Sequence, residues 1–168
     1  MPLLDELLFS LTFLAALGCG LIAGLFFAFS NFVMKALARL HPENGIAAMQ
    51  AINVTVLNPL FLAFFLGTAA VCLLLFIYSL VRWQSPGTAC LLAGSSLYLI
   101  GNYVVTMVFN VPKNNALARV DASKSDAAGT WRNYLVVWTR WNHVRTITAF
   151  AAAAFLTMAL GQLQAVDR

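Results

Sequence analysis

Four apolar stretches, each long enough to cross a lipid bilayer, constrain the fold of this chain more than any other feature. They run over residues 7–34, 60–81, 89–109 and 131–163. A membrane helix needs about 20 mostly apolar residues to cross about 30 Å of hydrocarbon. Because 61% of the 168 residues are apolar and 10% are charged, a soluble fold would lack the polar surface to cover its outside. The sequence therefore predicts an all-α, integral membrane four-helix bundle.

Short connections between the stretches predict that residues 1–168 form one transmembrane domain. The turn at 84–87, Gln-Ser-Pro-Gly, makes the second and third helices antiparallel neighbours. In the first connection, residues 42–56 carry apolar side chains at helical spacing, which predicts a short amphipathic helix on the bilayer surface. Asn58 and Pro59 then read as an N-cap and a first-turn proline that start the second span. The polar connection 112–130 is expected to cover one face of the bundle.

Positive charge is distributed unevenly over the connections, which predicts the orientation of the chain in a cell membrane. One side carries Lys35, Arg39, Lys113, Arg119, Lys124 and Arg132, whereas the other carries Arg82 and Arg168. Because Lys and Arg in short loops stay in the cytoplasm, loops one and three are predicted to be cytoplasmic and both termini to lie outside it. Membrane lipids are thus expected partners. The formal net charge of +4 does not indicate nucleic-acid binding, because no basic run or basic helix face is present.

Polar side chains inside the apolar spans are the most unusual feature of the sequence. Asn102, Thr106 and Asn110 recur every four residues along the third span and lead into Asn114, while Asn31 ends the first span. On the fourth span one helix face carries Trp131, Tyr134, Trp138, Asn142 and Arg145. Such groups cost free energy in a membrane unless they are paired, and their convergence predicts a ligand pocket at one depth. The alternative is that the amides join helices, at about 0.6 kcal/mol each.

Several other residues are weaker candidates for a role. His143 lies at the edge of the fourth span, where a near-neutral pKa suits proton transfer, but it falls on a different helix face from Arg145. Gly20 and Gly24 predict a close-packing seam. Three isolated cysteines and two distant histidines show no metal-binding spacing, so no metal site is predicted, although haem or copper with Met and His ligands stays open. No span contains a carboxylate, which argues against a proton-relay pump and a di-iron bundle.

Three motifs resemble those of the anthrone oxygenase-like family of small integral membrane proteins, a group also described as a domain of unknown function. The motifs are Asn110-Val-Pro-Lys-Asn114-Asn115-x-Leu117, Trp131-Arg-x-Tyr134 and Trp138-Thr-Arg-Trp141-Asn142-x-x-Arg145-Thr146. The resemblance extends over essentially the whole chain, including Phe-Phe-x-Phe-Ser-Asn31. It implies a four-helix membrane fold. For characterised fungal members it also implies oxidation of an anthrone to an anthraquinone by dioxygen without an obvious cofactor.

The resulting hypothesis is a membrane oxygenase, a monooxygenase-type oxidoreductase, that acts with dioxygen on a flat lipophilic aromatic of the anthrone type. Arg145, Asn142 and Asn110 would donate hydrogen bonds to an oxyanion, Trp138 and Trp141 would stack on the ring, and His143, a substrate phenol or water would be the base. The remaining polar side chains would line the pocket: Asn31, Asn102, Thr106 and Asn114. No cofactor is required. The alternative is a non-catalytic bundle that binds a lipid, a quinone or a partner helix, and a homo-oligomer is also open.

Overall fold

The computed structural model describes residues 2–124 and 127–164, and all regular structure within them is helical. Ser125, Asp126 and Arg168, which were part of the loop and orientation predictions, lie outside the described residues. Helix α1 comprises Pro2–Ala28, a π-helical segment Phe29–Val33 and a last turn Met34–Leu37. Helices α2, α3 and α5 are Pro42–Thr55, Pro59–Val81 and Ala127–Gln164. Helix α4 comprises Thr88–Tyr98, two π-helical segments, Leu99–Val104 and Thr106–Asn110, and Val111–Leu117.

Helices α1, α3, α4 and α5 are each long and apolar enough to cross a membrane. Their contacts run from α1 to α3, from α3 to α4, from α4 to α5 and from α5 back to α1, which closes a four-membered ring. Large apolar side chains on all four helices are exposed on the outside of this ring, as expected of surfaces that contact lipid. The prediction of an all-α four-helix bundle in a membrane is confirmed.

Local signals read from the sequence explain where α3 and α4 begin. The Asn58 side-chain oxygen accepts a hydrogen bond from the Phe61 backbone N–H at 3.0 Å, and Pro59 occupies the first turn. This is an N-cap with a proline where its missing N–H costs nothing. Before α4, Gly87 has a φ of 80°, a left-handed conformation that favours glycine. The tight turn therefore joins α3 and α4 as antiparallel neighbours.

The helices extend beyond the ends expected from hydropathy, most clearly in α4. Pro112 lies in the first turn of the Val111–Leu117 segment, where a missing N–H is tolerated, so α4 continues through a region predicted to be a loop. The third connection is correspondingly shorter. In it the Asp121 carboxylate accepts hydrogen bonds from the hydroxyl of Ser123 at 2.7 Å and from its N–H at 3.1 Å. The hydroxyl bond in particular lowers the pKa of Asp121.

The amphipathic helix α2 covers one end of the bundle. Its Gln50 side-chain amide donates to the backbone carbonyls of Leu117 at 2.9 Å and Val120 at 3.0 Å, which ties the first connection to the end of α4. Gly45 of α2 lies against the Trp131 ring, where an added Cβ would come within 2.9 Å of the indole. The α2 helix is therefore docked on α4 and α5.

Close packing within the bundle does not use the predicted glycine pair. Gly20 and Gly24 have no atom within 4 Å of a Cβ placed on them, so the predicted seam is wrong for contacts within this chain. The reason is that both residues lie on the outer face of α1, where they are exposed. Gly18, Gly94 and Gly101 make close approaches instead; at Gly94, for example, a Cβ would lie 2.8 Å from the Leu156 side chain and 3.1 Å from the Ala152 carbonyl oxygen.

Candidate functional site

A layer of polar side chains separates the apolar core into two clusters. One cluster lies in the part of the bundle farther from α2 and includes Phe26 and Tyr98. The other lies beneath α2 and includes Trp131 and Trp138. Between them lies what we call the polar layer: Ser30, Asn102, Thr106, Asn110, Asn142 and Arg145. The first four belong to the π-helical segments of α1 and α4, and such segments are frequent at functional sites.

Asn142 is the centre of the polar layer and is fully buried, with 0% of its surface exposed. Its amide nitrogen donates to the Phe26 carbonyl oxygen and to Ser30 Oγ, both at 2.7 Å. Its amide oxygen accepts a hydrogen bond from Nη2 of Arg145 at 2.7 Å. The Asn142 side chain thus donates both of its amide protons to acceptors on α1. Its amide oxygen orients the Arg145 guanidinium, which lies one turn further along α5.

Arg145 is a buried cation whose protein partners are uncharged. Only 4% of its surface is exposed, and besides Asn142 its guanidinium donates to Thr106 Oγ1 at 3.2 Å. The guanidinium carbon lies 4.0 Å from the Phe26 ring centroid and 5.1 Å from that of Trp138. Such cation–π contacts partly replace lost hydration.

The hydrogen-bonding capacity of Arg145 is not filled. Its Nε–H has no partner in the part of the chain that the structure describes, and the described residues give it no carboxylate. A guanidinium has five N–H donors in a fixed planar fork. Since a buried charge is unfavourable without a counter-charge, this arrangement is suited to an anion or a developing oxyanion.

Two asparagines of α4 fix that helix against α5. The side-chain amide of Asn102 donates to the Arg145 carbonyl oxygen at 3.1 Å, and that of Asn110 donates to the Trp138 carbonyl oxygen at 3.2 Å. Both side chains are buried, and neither amide oxygen has a partner among the described residues. Each amide therefore links α4 to α5 through its nitrogen, and its oxygen is left as a hydrogen-bond acceptor.

Three aromatic side chains extend from the polar layer toward α2. The ring centroids of Trp131 and Tyr134 are 5.6 Å apart, and those of Tyr134 and Trp138 are 6.1 Å apart. The Asn114 amide oxygen accepts hydrogen bonds from the Tyr134 hydroxyl at 2.9 Å and from the Trp138 indole N–H at 2.8 Å. Trp138 therefore presents a ring held in position on one side by Asn114 and facing Arg145.

Ser30 connects the polar layer with a groove of about 320 Å³ between α1 and α5. The side chains that line this α1–α5 groove are Ser30, Met34, Lys35, Ala38, Leu135, Val136, Thr139, Arg140 and His143. Besides accepting from Asn142, Ser30 shares a 3.0 Å hydrogen bond with the Thr146 hydroxyl, which itself lies 2.9 Å from the Asn142 carbonyl oxygen. A ligand in the groove would thus contact Ser30, which accepts from Asn142, whereas Asn142 and Arg145 do not line the groove themselves.

The structure brings together seven of the ten side chains that the sequence singled out. They are Asn102, Thr106, Asn110, Asn114, Trp138, Asn142 and Arg145. Five of these seven belong to the polar layer, and Asn114 and Trp138 adjoin it through the aromatic stack. The other three belong to neither group, because consecutive helical residues point about 100° apart. Asn31 is exposed next to inward-facing Ser30, and His143 is exposed next to Asn142, although it lines the groove. Trp141 stacks on Phe109, with ring centroids 3.6 Å apart.

Sequence reasoning assigned no role to Ser30 and Phe26, although both lie in the Phe-Phe-x-Phe-Ser-Asn31 motif that it quoted for the family resemblance. A serine within an apolar span was a signal that could have identified Ser30. For Phe26 the motif was the signal, because one phenylalanine among 13 is not otherwise marked as the ring beneath an arginine 119 positions later.

The donor set does not favour a metal or haem in the polar layer. Amides, hydroxyls and a guanidinium are poor ligands for copper and haem iron, which prefer imidazole, thiolate or thioether groups. Among the described residues, no three His, Cys, Asp or Glu side chains come together as a metal site. The two buried cysteines, Cys19 and Cys72, belong to the apolar core beside Tyr98.

Comparisons with known proteins identify one family. A family model described as anthrone oxygenase matches residues 60–155, which include α3, all of α4 and most of α5. The search of curated proteins gave no match, and neither did the search of solved structures.

Proposed function

The chain belongs to the anthrone oxygenase family, and on this premise we propose that it oxidises a flat, lipophilic aromatic of the anthrone type with dioxygen in the membrane. The substrate loses an acidic proton from carbon, and the anion that results is stabilised by the polar layer. One anthrone and one dioxygen then yield one anthraquinone and one water. The family premise supports an oxygenase-type reaction, whereas the substrate and the residue roles are parts of this proposal.

The buried guanidinium of Arg145 is the observation that carries the proposal. A cation with 4% exposure, an unpaired Nε–H and no carboxylate among its described contacts has a positive charge available for a substrate oxyanion. Preorganised donors of this kind stabilise charge that develops during a reaction, and removing one typically costs about 10²–10³ in rate. Asn142 holds the guanidinium in place, and Thr106 fixes a second of its nitrogens.

The chemistry needs little more from the protein than charge stabilisation and an apolar surrounding. Removal of the proton places electron density on the substrate oxygen, so the oxyanion is close in character to a phenolate. This electron-rich anion passes one electron to dioxygen, and the carbon radical and superoxide combine to form a C–O bond. The peroxide is protonated, and the carbon that bears it then loses its remaining proton. The electrons of that C–H bond form the quinone carbonyl as the O–O bond breaks, and the hydroxide that leaves is protonated to water. Every electron that dioxygen accepts comes from the substrate.

The α1–α5 groove is the proposed place of the aromatic ring. Apolar Met34, Leu135 and Val136 line it, Ser30 connects it with Asn142, and His143 faces it. Exposed His143, which lies outside the polar layer, is in this arrangement a candidate base at the groove. Trp138 acts from the other side of Arg145 by fixing the guanidinium, which differs from the ring-stacking role first assigned to it.

Turnover by matched variants tests this proposal. We expect purified protein in lipid nanodiscs to convert anthrone to anthraquinone with consumption of one dioxygen, and Arg145→Gln and Asn142→Leu to lose about 10²-fold in kcat/KM. Exposed residues of the same helix provide the controls, Arg132→Gln and Asn133→Leu, which should retain the parental rate. If Arg145→Gln is folded and turns over the substrate at the parental rate, the assignment of the oxyanion site is wrong.

A second candidate function is a non-catalytic bundle that binds a quinone or lipid. The observation that favours it is the use of both Asn102 and Asn110 as links to backbone carbonyls of α5, which is what interhelical amides do without any substrate. An optical spectrum and mass analysis of the purified protein distinguish the two. A stoichiometric bound quinone, together with no anthrone turnover, would support this second function.

A further inference from the structure

The α1–α5 groove has a charge that a neutral anthrone does not require. Among the side chains that line it are the cations Lys35 and Arg140, and none of the lining side chains is acidic. Lys35 and Arg140 come from different helices, so two long cationic side chains converge on one mouth. Like charges that share a site are unfavourable unless an anion lies between them. The groove is therefore complementary to a ligand that carries negative charge.

The cations of the groove lie to one side of its reactive end, which is formed by Ser30 and His143. Ser30 is level with Asn142 and Thr146, to which it is hydrogen bonded, and Lys35 follows Ser30 by five residues, about 7.5 Å along α1. Because α1 and α5 run antiparallel, Arg140, which precedes Asn142 on α5, lies toward the same end as Lys35. His143 stays beside Asn142. Lys35 thus lies about one and a half helical turns from Ser30, and Arg140 lies about 3 Å along α5 from Asn142 in the same direction.

The surface between the two ends is apolar. Met34 is buried, Leu135 is half-buried, and Val136 and Ala38 are exposed along the groove. A rigid aromatic body fits such a surface, since small-molecule sites combine an apolar lining with a few placed polar groups. Lys and Arg near the ends of membrane helices reach the headgroup region, where an acid group on the ligand stays hydrated.

We propose that this groove selects an aromatic acid, whose carboxylate pairs with Lys35 and Arg140 while the flat ring lies against Met34, Leu135 and Val136. This inference rests on the proposed function in placing the reacting end of the substrate at Ser30 and His143. Lys35 and Arg140 are then specificity-determining residues that touch a substituent remote from the oxidised carbon. An anionic lipid headgroup is the competing occupant, and the experiment is designed to separate the two.

Binding of two matched probes without turnover tests the preference. Anthracene-2-carboxylate and 2-(hydroxymethyl)anthracene share the same ring and differ in charge, and their fluorescence reports binding to protein in phosphatidylcholine nanodiscs. We expect the carboxylate to bind about tenfold more tightly in the wild type. In the double variant Lys35→Gln/Arg140→Gln the two probes should bind within about twofold of each other. The control variant, Arg82→Gln/Arg132→Gln, removes two exposed cations elsewhere and should keep the preference.

Three results would overturn the inference. The first is equal affinity of the wild type for both probes, and the second is a preference that survives in the double variant. The third has two parts: carboxylate binding is lost when phosphatidylglycerol replaces phosphatidylcholine, and the double variant retains less bound phosphatidylglycerol than the wild type. Together these results would make the groove a lipid headgroup site. Since neither probe is oxidised in this assay, a protein that prefers the acid but turns over no anthrone would contradict the proposed function alone.

Discussion

Arg145 shows how a single cation is kept inside an apolar bundle. Its guanidinium is held by one amide, one hydroxyl and two aromatic faces, all of which are uncharged. The pairing with Asn142 was predictable, because the two residues are three positions apart on one helix face. The α1 residues were not predictable: Phe26, which lies beneath the guanidinium, and Ser30, which accepts from Asn142, come from a helix more than 100 residues earlier. Their proximity depends on how the bundle packs.

Ser30 provides the prediction at this scale. Ser30→Ala leaves one amide proton of Asn142 without its acceptor and removes the link to Thr146, so we expect a loss of about 1–3 kcal/mol in stability. If the serine also meets the substrate, kcat/KM for anthrone oxidation should fall by about tenfold. Thermal unfolding and oxygen consumption measure the two effects.

The matched control for Ser30 is Ser10→Ala. Ser10 is exposed on the same helix and donates to the carbonyl oxygen four residues earlier, so its loss should change neither quantity measurably. Equal behaviour of the two serine variants would remove Ser30 from the site.

At the scale of the helices, the sequence predicted where elements exist but not how their turns are wound. The π-helical segments of α1 and α4 place Ser30, Asn102 and Asn110 inward, and no spacing in a single sequence marks an i→i+5 turn. The continuation of α4 through Pro112 was missed for a related reason. Pro112 is tolerated because it lies in the first turn of the helical segment that begins at Val111, whereas the sequence alone presents a proline followed by the polar residues 113–115.

Helix packing gives a prediction based on two glycines. Gly94→Ala would bring a Cβ against the Leu156 side chain and the Ala152 carbonyl, so we expect destabilisation of about 1–3 kcal/mol, as in other overpacked cores. Gly24→Ala meets no atom within 4 Å and replaces a flexible residue within a helix, so its stability should be unchanged or higher. Unfolding titrations in mixed detergent compare the variants. A more destabilised Gly24→Ala would contradict this packing.

At the scale of the whole molecule, hydrophobic length determines most of what could be predicted. Four stretches of sufficient length dictated four membrane helices, and these are present. The ring order of the helices and the docking of α2 over the aromatic cluster depend on residues that meet across long sequence distances. For α2 these contacts are Gln50 with the Leu117 carbonyl and Gly45 with the Trp131 ring. Periodicity identifies a buried face but does not identify which helix covers it.

Orientation in the membrane is the prediction at this scale. The excess of Lys and Arg in the first and third connections predicts that these loops are cytoplasmic and that both termini lie outside. Alkaline phosphatase fused after Arg168 should therefore be active, and green fluorescent protein at the same position should be dark when it is exported through the general secretory route. A fluorescent fusion with inactive phosphatase would reverse this orientation.

The central claim is that buried Arg145 stabilises a substrate oxyanion, and the anaerobic absorption spectrum of bound anthrone tests it most directly. Without dioxygen no product forms, so the spectrum reports the ionisation state of the ligand. We predict that the wild type and the control variant Arg132→Gln at neutral pH both produce the long-wavelength band of the bound anthrone anion. Arg145→Gln should not produce this band. A bound anthrone that stays neutral in the wild type, or ionises equally in Arg145→Gln, would contradict it.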